Sequence, residues 1–212
     1  MSFKKIDIEG CDSMGKSTLA KTYASMFGCH YSYEPDGSTP LSLQFRELAL
    51  NGGEHEKTLD GIPREYLMAL NRSISNKKNI QIMKGQNVIS DRGLLSGMVY
   101  AHVDDKLNMS YDDWSTVHHM NAKTLLPDLI VHVTNKERRV PEHKRLGADI
   151  YDNRDDEFFK KISASFLTGL VYFERVFNVP HITFENTFDK TPEENAQRLA
   201  SVLIPLLTNQ EF

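Results

Sequence analysis

The sequence predicts an α/β fold, a parallel sheet covered by helices, on two observations. First, five short strand-like stretches, Lys4 to Ile8, His30 to Tyr33, Gln86 to Ser90, Leu129 to Val133 and His181 to Phe184, alternate with longer stretches of helical period. Such alternation leaves each strand parallel to the last, with a helix returning the chain. Second, residues 4 to 18, KKIDIEGCDSMGKST, read as a buried β-branched strand, a turn bounded by Gly10 and Gly15, and a helix start free of Gly and Pro through Met26.

That second stretch has the spacing Gly10-x-x-x-x-Gly15-Lys16-Ser17 of a phosphate-binding loop. The glycines let backbone N–H groups curl round an anion, and the helix N-terminus adds partial positive charge. Lys16 is placed to reach β- and γ-phosphates, and the Ser17 hydroxyl to ligate Mg²⁺. Gly10, Cys11, Asp12, Ser13, Met14, Gly15, Lys16, Ser17 and Thr18 form the candidate phosphate-contacting set.

Further along, Thr39-Pro40 reads as an N-cap and first helical residue, with Leu41, Phe45 and Leu48 on one face. Asn51-Gly52-Gly53 ends that helix. A longer one begins near Pro63, carries Leu67, Leu70 and Ile74, and runs to about Met83. Ser110-x-x-Asp113 marks another helix start, and Thr191-Pro192-Glu193-Glu194 is a capping box before Leu199, Leu203 and Leu206. From Asp155 to Phe177, Phe159, Ile162, Phe166, Leu170, Phe173 and Phe177 recur every three or four residues, a core-facing stripe.

Composition narrows the partners. With 212 residues, net charge −4 and pI about 6.1, the chain suits one domain, residues 1–212, without the basic field that nucleic acid or an acidic membrane would need. A small-molecule partner is expected, with anion binding from local clusters. No apolar run approaches the ~18 residues of a membrane span, and MSFKK lacks a signal-peptide core, so a cytoplasmic location is expected. Cys11 and Cys29 are too few for a disulfide framework. His118 and His119 are adjacent, hence about 100° apart on a helix and a poor chelate.

Two clusters carry further chemistry. Asp91 and Arg92 stand at the end of the third strand, where α/β proteins bind ligands. An acid there holds Mg²⁺ through water, and an arginine fork bridges phosphates. Residues 136 to 154, KERRVPEHKRLGADIYDNR, are either a solvated charged surface or a lid that brings Arg or Lys over bound phosphates. In VTNKERR, Arg138 stands where a guanine-reading Asn-Lys-x-Asp needs its acid, which argues against a switch GTPase.

In order, IEGCDSMGKST, YEPDGSTPLSLQFREL, EYLMALNR, VISDRGLLSGMVYA, LLPDLIVHV and RLGADIYDNRDDEFFKKISASF resemble the segments of the thymidylate kinase family over nearly the whole chain. The resemblance implies a P-loop NTPase-type three-layer sandwich: a five-stranded parallel sheet with helices on both faces and a lid at about 138–154. It implies transfer of the ATP γ-phosphate to dTMP or a related pyrimidine deoxynucleotide, with Mg²⁺, in a homodimer. Asp12 would accept from the acceptor 3′-hydroxyl, Arg46 and Arg92 would grip its phosphate, Glu34 would help place sugar or Mg²⁺, Arg72 would donate to the pyrimidine, and Tyr100 would favour deoxyribose. Asp91 would hold Mg²⁺ through water. Because Ser13 follows Asp12, the catalytic cation would come from the lid: Arg138, Arg139, Lys144, Arg145 or Arg154.

The sequence departs from the family pattern at three positions. Met68 stands where an aromatic residue stacks on the base, which suggests tolerance at the pyrimidine C5. Gly93 replaces an aromatic or histidine, and Asp36 replaces a glycine. A deoxynucleoside kinase using Glu34 as base and a non-catalytic ATP-binding regulator are the alternatives.

Overall fold

The computed structural model describes residues 4–51, 58–104, 107–136 and 156–208. In chain order the elements are β1 (Lys5–Glu9), α1 (Lys16–Phe27), β2 (His30–Tyr33), α2 (Pro40–Asn51), α3 (Ile62–Ile82), β3 (Val88–Asp91), α4 (Leu94–Val103), α5 (Tyr111–Thr124), β4 (Leu129–Thr134), α6 (Asp156–Phe177), β5 (His181–Glu185) and α7 (Pro192–Thr208). The strands form one parallel sheet, as the alternation predicts, and its order is β2-β3-β1-β4-β5. From β1 the chain builds first toward β3 and β2, then crosses to β4 and β5. The loops after β1 and β3 therefore leave adjacent strands at the same sheet end, the usual ligand site of such folds.

The helix boundaries follow the cap signals. Thr39 Oγ1 accepts from Ser42 N–H at 3.1 Å before α2, and Ser110 Oγ accepts from Asp113 N–H at 3.1 Å before α5. At α7 the capping box is reciprocal: Thr191 N–H donates to Glu194 Oε2 at 2.7 Å, and Glu194 N–H donates to Thr191 Oγ1 at 3.2 Å.

Helices cover both faces of the sheet. Ile6 and Ile8 pack with Leu19 and Tyr23 of α1 and Leu199 and Leu203 of α7. On the other face, Leu95, Met98 and Val99 of α4 meet Trp114 of α5 and the predicted α6 stripe, in which Phe159, Ile162, Phe166, Leu170 and Phe173 are all buried.

β1 is less simple than its isoleucines suggest. Its alternate residues Lys5, Asp7 and Glu9 are also buried, on the α4 side. Lys5 Nζ is ion-paired with Asp7, and Glu9 accepts from Ser96 N–H at 3.1 Å and from the Ser96 hydroxyl. Burial outweighs the Lys5 charge and raises Asp7 to about 6; burial and Asp7 raise Glu9 to about 7, against the Ser96 and Arg92 contacts.

Candidate functional site

The phosphate loop curls at the sheet end as its sequence requires. Gly15 has φ 80°, and the space a side chain would need there is filled by the Asn186 amide, which donates to Met14 O at 2.8 Å. Ser13 also sits in the left-handed region, with φ 67°. Lys16 is buried and donates to Cys11 O across the loop at 2.6 Å. Burial, then Arg92, lowers its pKa to about 8, against the pull of Asp12 and Asp91.

Asp91 and Arg92 meet this loop from β3. Arg92 has φ 70°, and its N–H donates to Ile8 O at 2.9 Å, so the turn is pinned to β1. Its guanidinium is ion-paired with Asp12 and donates to Ser96 Oγ at 3.0 Å. The Tyr100 hydroxyl donates to the other Asp12 oxygen at 2.6 Å. Burial alone would lower the Arg92 pKa, but Asp12, Tyr100 and Asp91 hold it well above its ordinary value; burial and Asp12 raise Tyr100. Asp91 Oδ2 accepts from the Tyr31 hydroxyl at 3.3 Å, while Oδ1 is buried with no hydrogen-bond partner among the described residues.

A third wall comes from the loop after β2 and from α3. Arg46 donates to Pro35 O and lies over the Tyr33 ring, 5.6 Å from its centroid. Arg72 is buried; its Nε donates to Glu34 Oε2 at 2.7 Å and its Nη1 to His118 Nδ1 at 3.0 Å. Gly97 makes room for it, since a Cβ there would lie 2.7 Å from Arg72 Nη2.

These walls enclose a cavity of about 850 Å³ lined by thirteen of the candidate residues: Asp12, Ser13, Gly15, Lys16, Ser17, Thr18, Glu34, Arg46, Met68, Arg72, Asp91, Arg92 and Tyr100. Gly10, Cys11 and Met14 do not line it. A side chain at Gly10 would run into Val133 O, Cys11 is buried beside Phe159, and Met14 packs against the apolar core. The lid candidates Arg138, Arg139, Lys144, Arg145 and Arg154 lie outside the described residues. Glu65, Ser96 and Gly97 also line the cavity, and the sequence reading missed them. For Glu65 the available signal was its place on one helical face with Met68 and Arg72.

The family model for thymidylate kinase matches residues 8–184. The chain belongs to the thymidylate kinase family. Two relatives in that family are a thymidylate kinase of Aliarcobacter butzleri, 36% identical over 101 residues, covering 46% of this chain and 49% of that one, and a thymidylate kinase of Helicobacter hepaticus, 27% identical over 193 residues, covering 87% and 91%. The alignments with the Aliarcobacter butzleri and Campylobacter concisus thymidylate kinases span about half the length of those relatives, 49% in each case. The solved thymidylate kinase of Candida albicans superposes with a TM-score of 0.71 over 96% of this chain and 92% of that one, at 22% identity. At that identity the likeness establishes the shared thymidylate kinase fold.

Proposed function

We propose that this protein transfers the γ-phosphate of ATP to the 5′-phosphate of dTMP, giving dTDP. The observation that carries the reading is the convergence, in one cavity, of a phosphate loop, the Asp12–Arg92–Tyr100 cluster and Arg72. The phosphate loop and Lys16 bind the donor phosphates. Arg92 and Arg46 bind the acceptor phosphate, Asp12 accepts from the 3′-hydroxyl, and Arg72 donates to the base beneath Met68. The acceptor phosphate is already anionic, so no general base is required and catalysis rests on alignment and charge neutralisation.

Mg²⁺ fits this site. Ser17 is exposed and lines the cavity, and Asp91 carries a buried oxygen without a partner among the described residues, a donor set suited to an ion that keeps several waters and is shared with phosphates. Ser17, and Asp91 through water, would hold the ion, which would neutralise charge on the donor phosphates. With Ser13 in the loop, the same reading assigns the transition-state cation to Arg145 or its basic neighbours.

A nucleoside kinase would use Glu34 as its base; here Arg72 holds Glu34 Oε2, and acceptor choice separates the two readings. We further read the enzyme as a cytoplasmic homodimer; the free thiols Cys11 and Cys29 support the first, and the exposed Leu167 and Val171 on α6 the second. Among the described residues no helix is long and apolar enough to cross a membrane. The test is ADP release from Mg-ATP with dTMP, dUMP, dCMP, dGMP and thymidine. Stimulation by dTMP but not thymidine is expected; stimulation by thymidine alone would refute the assignment.

A further inference from the structure

The base end of the cavity contains a carboxylate that phosphate transfer does not use. Glu65 is 6% exposed, lines the cavity, and stands on α3 two turns before Arg72. Its Oε1 accepts from Trp114 Nε1–H at 2.8 Å and lies 2.6 Å from His118 Nε2. The histidine tautomer follows from chemistry. A guanidinium has no acceptor, so His118 Nδ1 accepts from Arg72 and the ring of a neutral His118 carries its proton on Nε2, donating to Glu65. Burial, then Arg72, lowers the His118 pKa against the pull of Glu65, which favours that neutral form.

Trp114 and His118 stack with centroids 4.1 Å apart and planes 13° apart, which fixes both donors on the same oxygen. Glu65 Oε2 is left with no partner among the described residues. Glu65 lines the cavity, so a donor on a ligand bound there can reach this free acceptor.

We propose that Glu65 reads the acceptor base: its Oε2 accepts from the ring N3–H of thymine or uracil, beside the exocyclic oxygen served by Arg72. The assignment rests on the dTMP reading above. Cytosine would present a lone pair at N3 to the carboxylate and an amine to the guanidinium, so both contacts would turn repulsive. Trp114 and His118 are positioning residues that aim the carboxylate.

The test is kcat/KM for dTMP, dCMP and N3-methyl-dTMP in the wild type and in Glu65→Gln, with calorimetric ATP affinity as the check on folding. In the variant, the amide oxygen would keep the Trp114 and His118 donors and turn the NH₂ group, a donor, toward the base. The dTMP-to-dCMP ratio should fall by roughly ten- to a hundred-fold, the size expected for one charge-assisted hydrogen bond. A variant with normal ATP affinity and an unmoved ratio, or an equal loss on both substrates, overturns the proposal. Independently of any variant, the wild type should use N3-methyl-dTMP about ten-fold or more less efficiently than dTMP, and equal efficiency overturns it too. A wild type inactive on dTMP would instead refute the acceptor assignment itself.

Discussion

Gly93 and Asp7 compete for the same space: a Cβ at position 93 would overlap the Asp7 carboxylate, which is buried in β1 and ion-paired with Lys5. This explains why Gly93 replaces the aromatic or histidine of the family pattern. The strand beneath it carries a buried charge pair that fills the volume. Gly93 has an extended φ of −161°, so its backbone would accept any residue and only the contact objects. Gly93→Ala should therefore destabilise the fold by about 1–3 kcal/mol, the usual cost of overpacking. Urea denaturation measures this; an unchanged midpoint would mean the carboxylate moves aside freely.

Asp36, the other departure near the site, is a loop clamp. It is fully buried, and its carboxylate accepts from Ser38 N–H at 3.2 Å, the Ser38 hydroxyl at 3.0 Å and Lys78 Nζ at 3.4 Å. Its own N–H donates to Asn71 Oδ1 at 2.7 Å, which ties the turn to α3. That turn carries Glu34 and the Pro35 carbonyl against which Arg46 is set. Asp36→Ala should cost about 1–3 kcal/mol of stability and raise KM for dTMP roughly ten-fold with kcat less affected, through looser positioning. Initial rates and a thermal melt on the same preparation separate the two effects; an unchanged KM would contradict the clamp.

The buried acids of β1 make stability depend on pH. Glu9 is raised by burial from its ordinary value of 4.5 to about 7, so between those values the folded chain binds the proton and the unfolded chain does not. Its contribution is present below the unfolded pKa and is lost as pH rises through about 7. The loss is on the order of 3 kcal/mol. Denaturation of the wild type and Glu9→Gln between pH 5 and pH 8 isolates this group. Wild-type stability relative to the variant should decline with pH, and a constant difference would contradict the assignment.

Local signals made the framework legible in the sequence. Ile6 and Ile8 marked the central strand, the Thr191–Glu194 capping box marked α7, and the Gly10-to-Ser17 spacing marked the loop that organises the cavity. The unseen features all depend on distant partners. Glu65 meets Trp114 and His118 across separations of 49 and 53 residues, and Glu9 meets Ser96 across 87. Periodicity reports which face of an element is apolar. It carries no information about which buried polar groups satisfy one another between elements, so Gly93, Gly97 and Asp36 became intelligible only once Asp7, Arg72 and Lys78 were placed beside them.

The most direct test of the account follows the phosphate itself, by phosphorus NMR of a mixture of the protein, Mg²⁺, ATP and dTMP. ADP and dTDP should appear in equal amounts, at a rate reduced about 10²-fold or more by Lys16→Ala, with the variant folded by circular dichroism. ADP accompanied by inorganic phosphate without dTDP would contradict it.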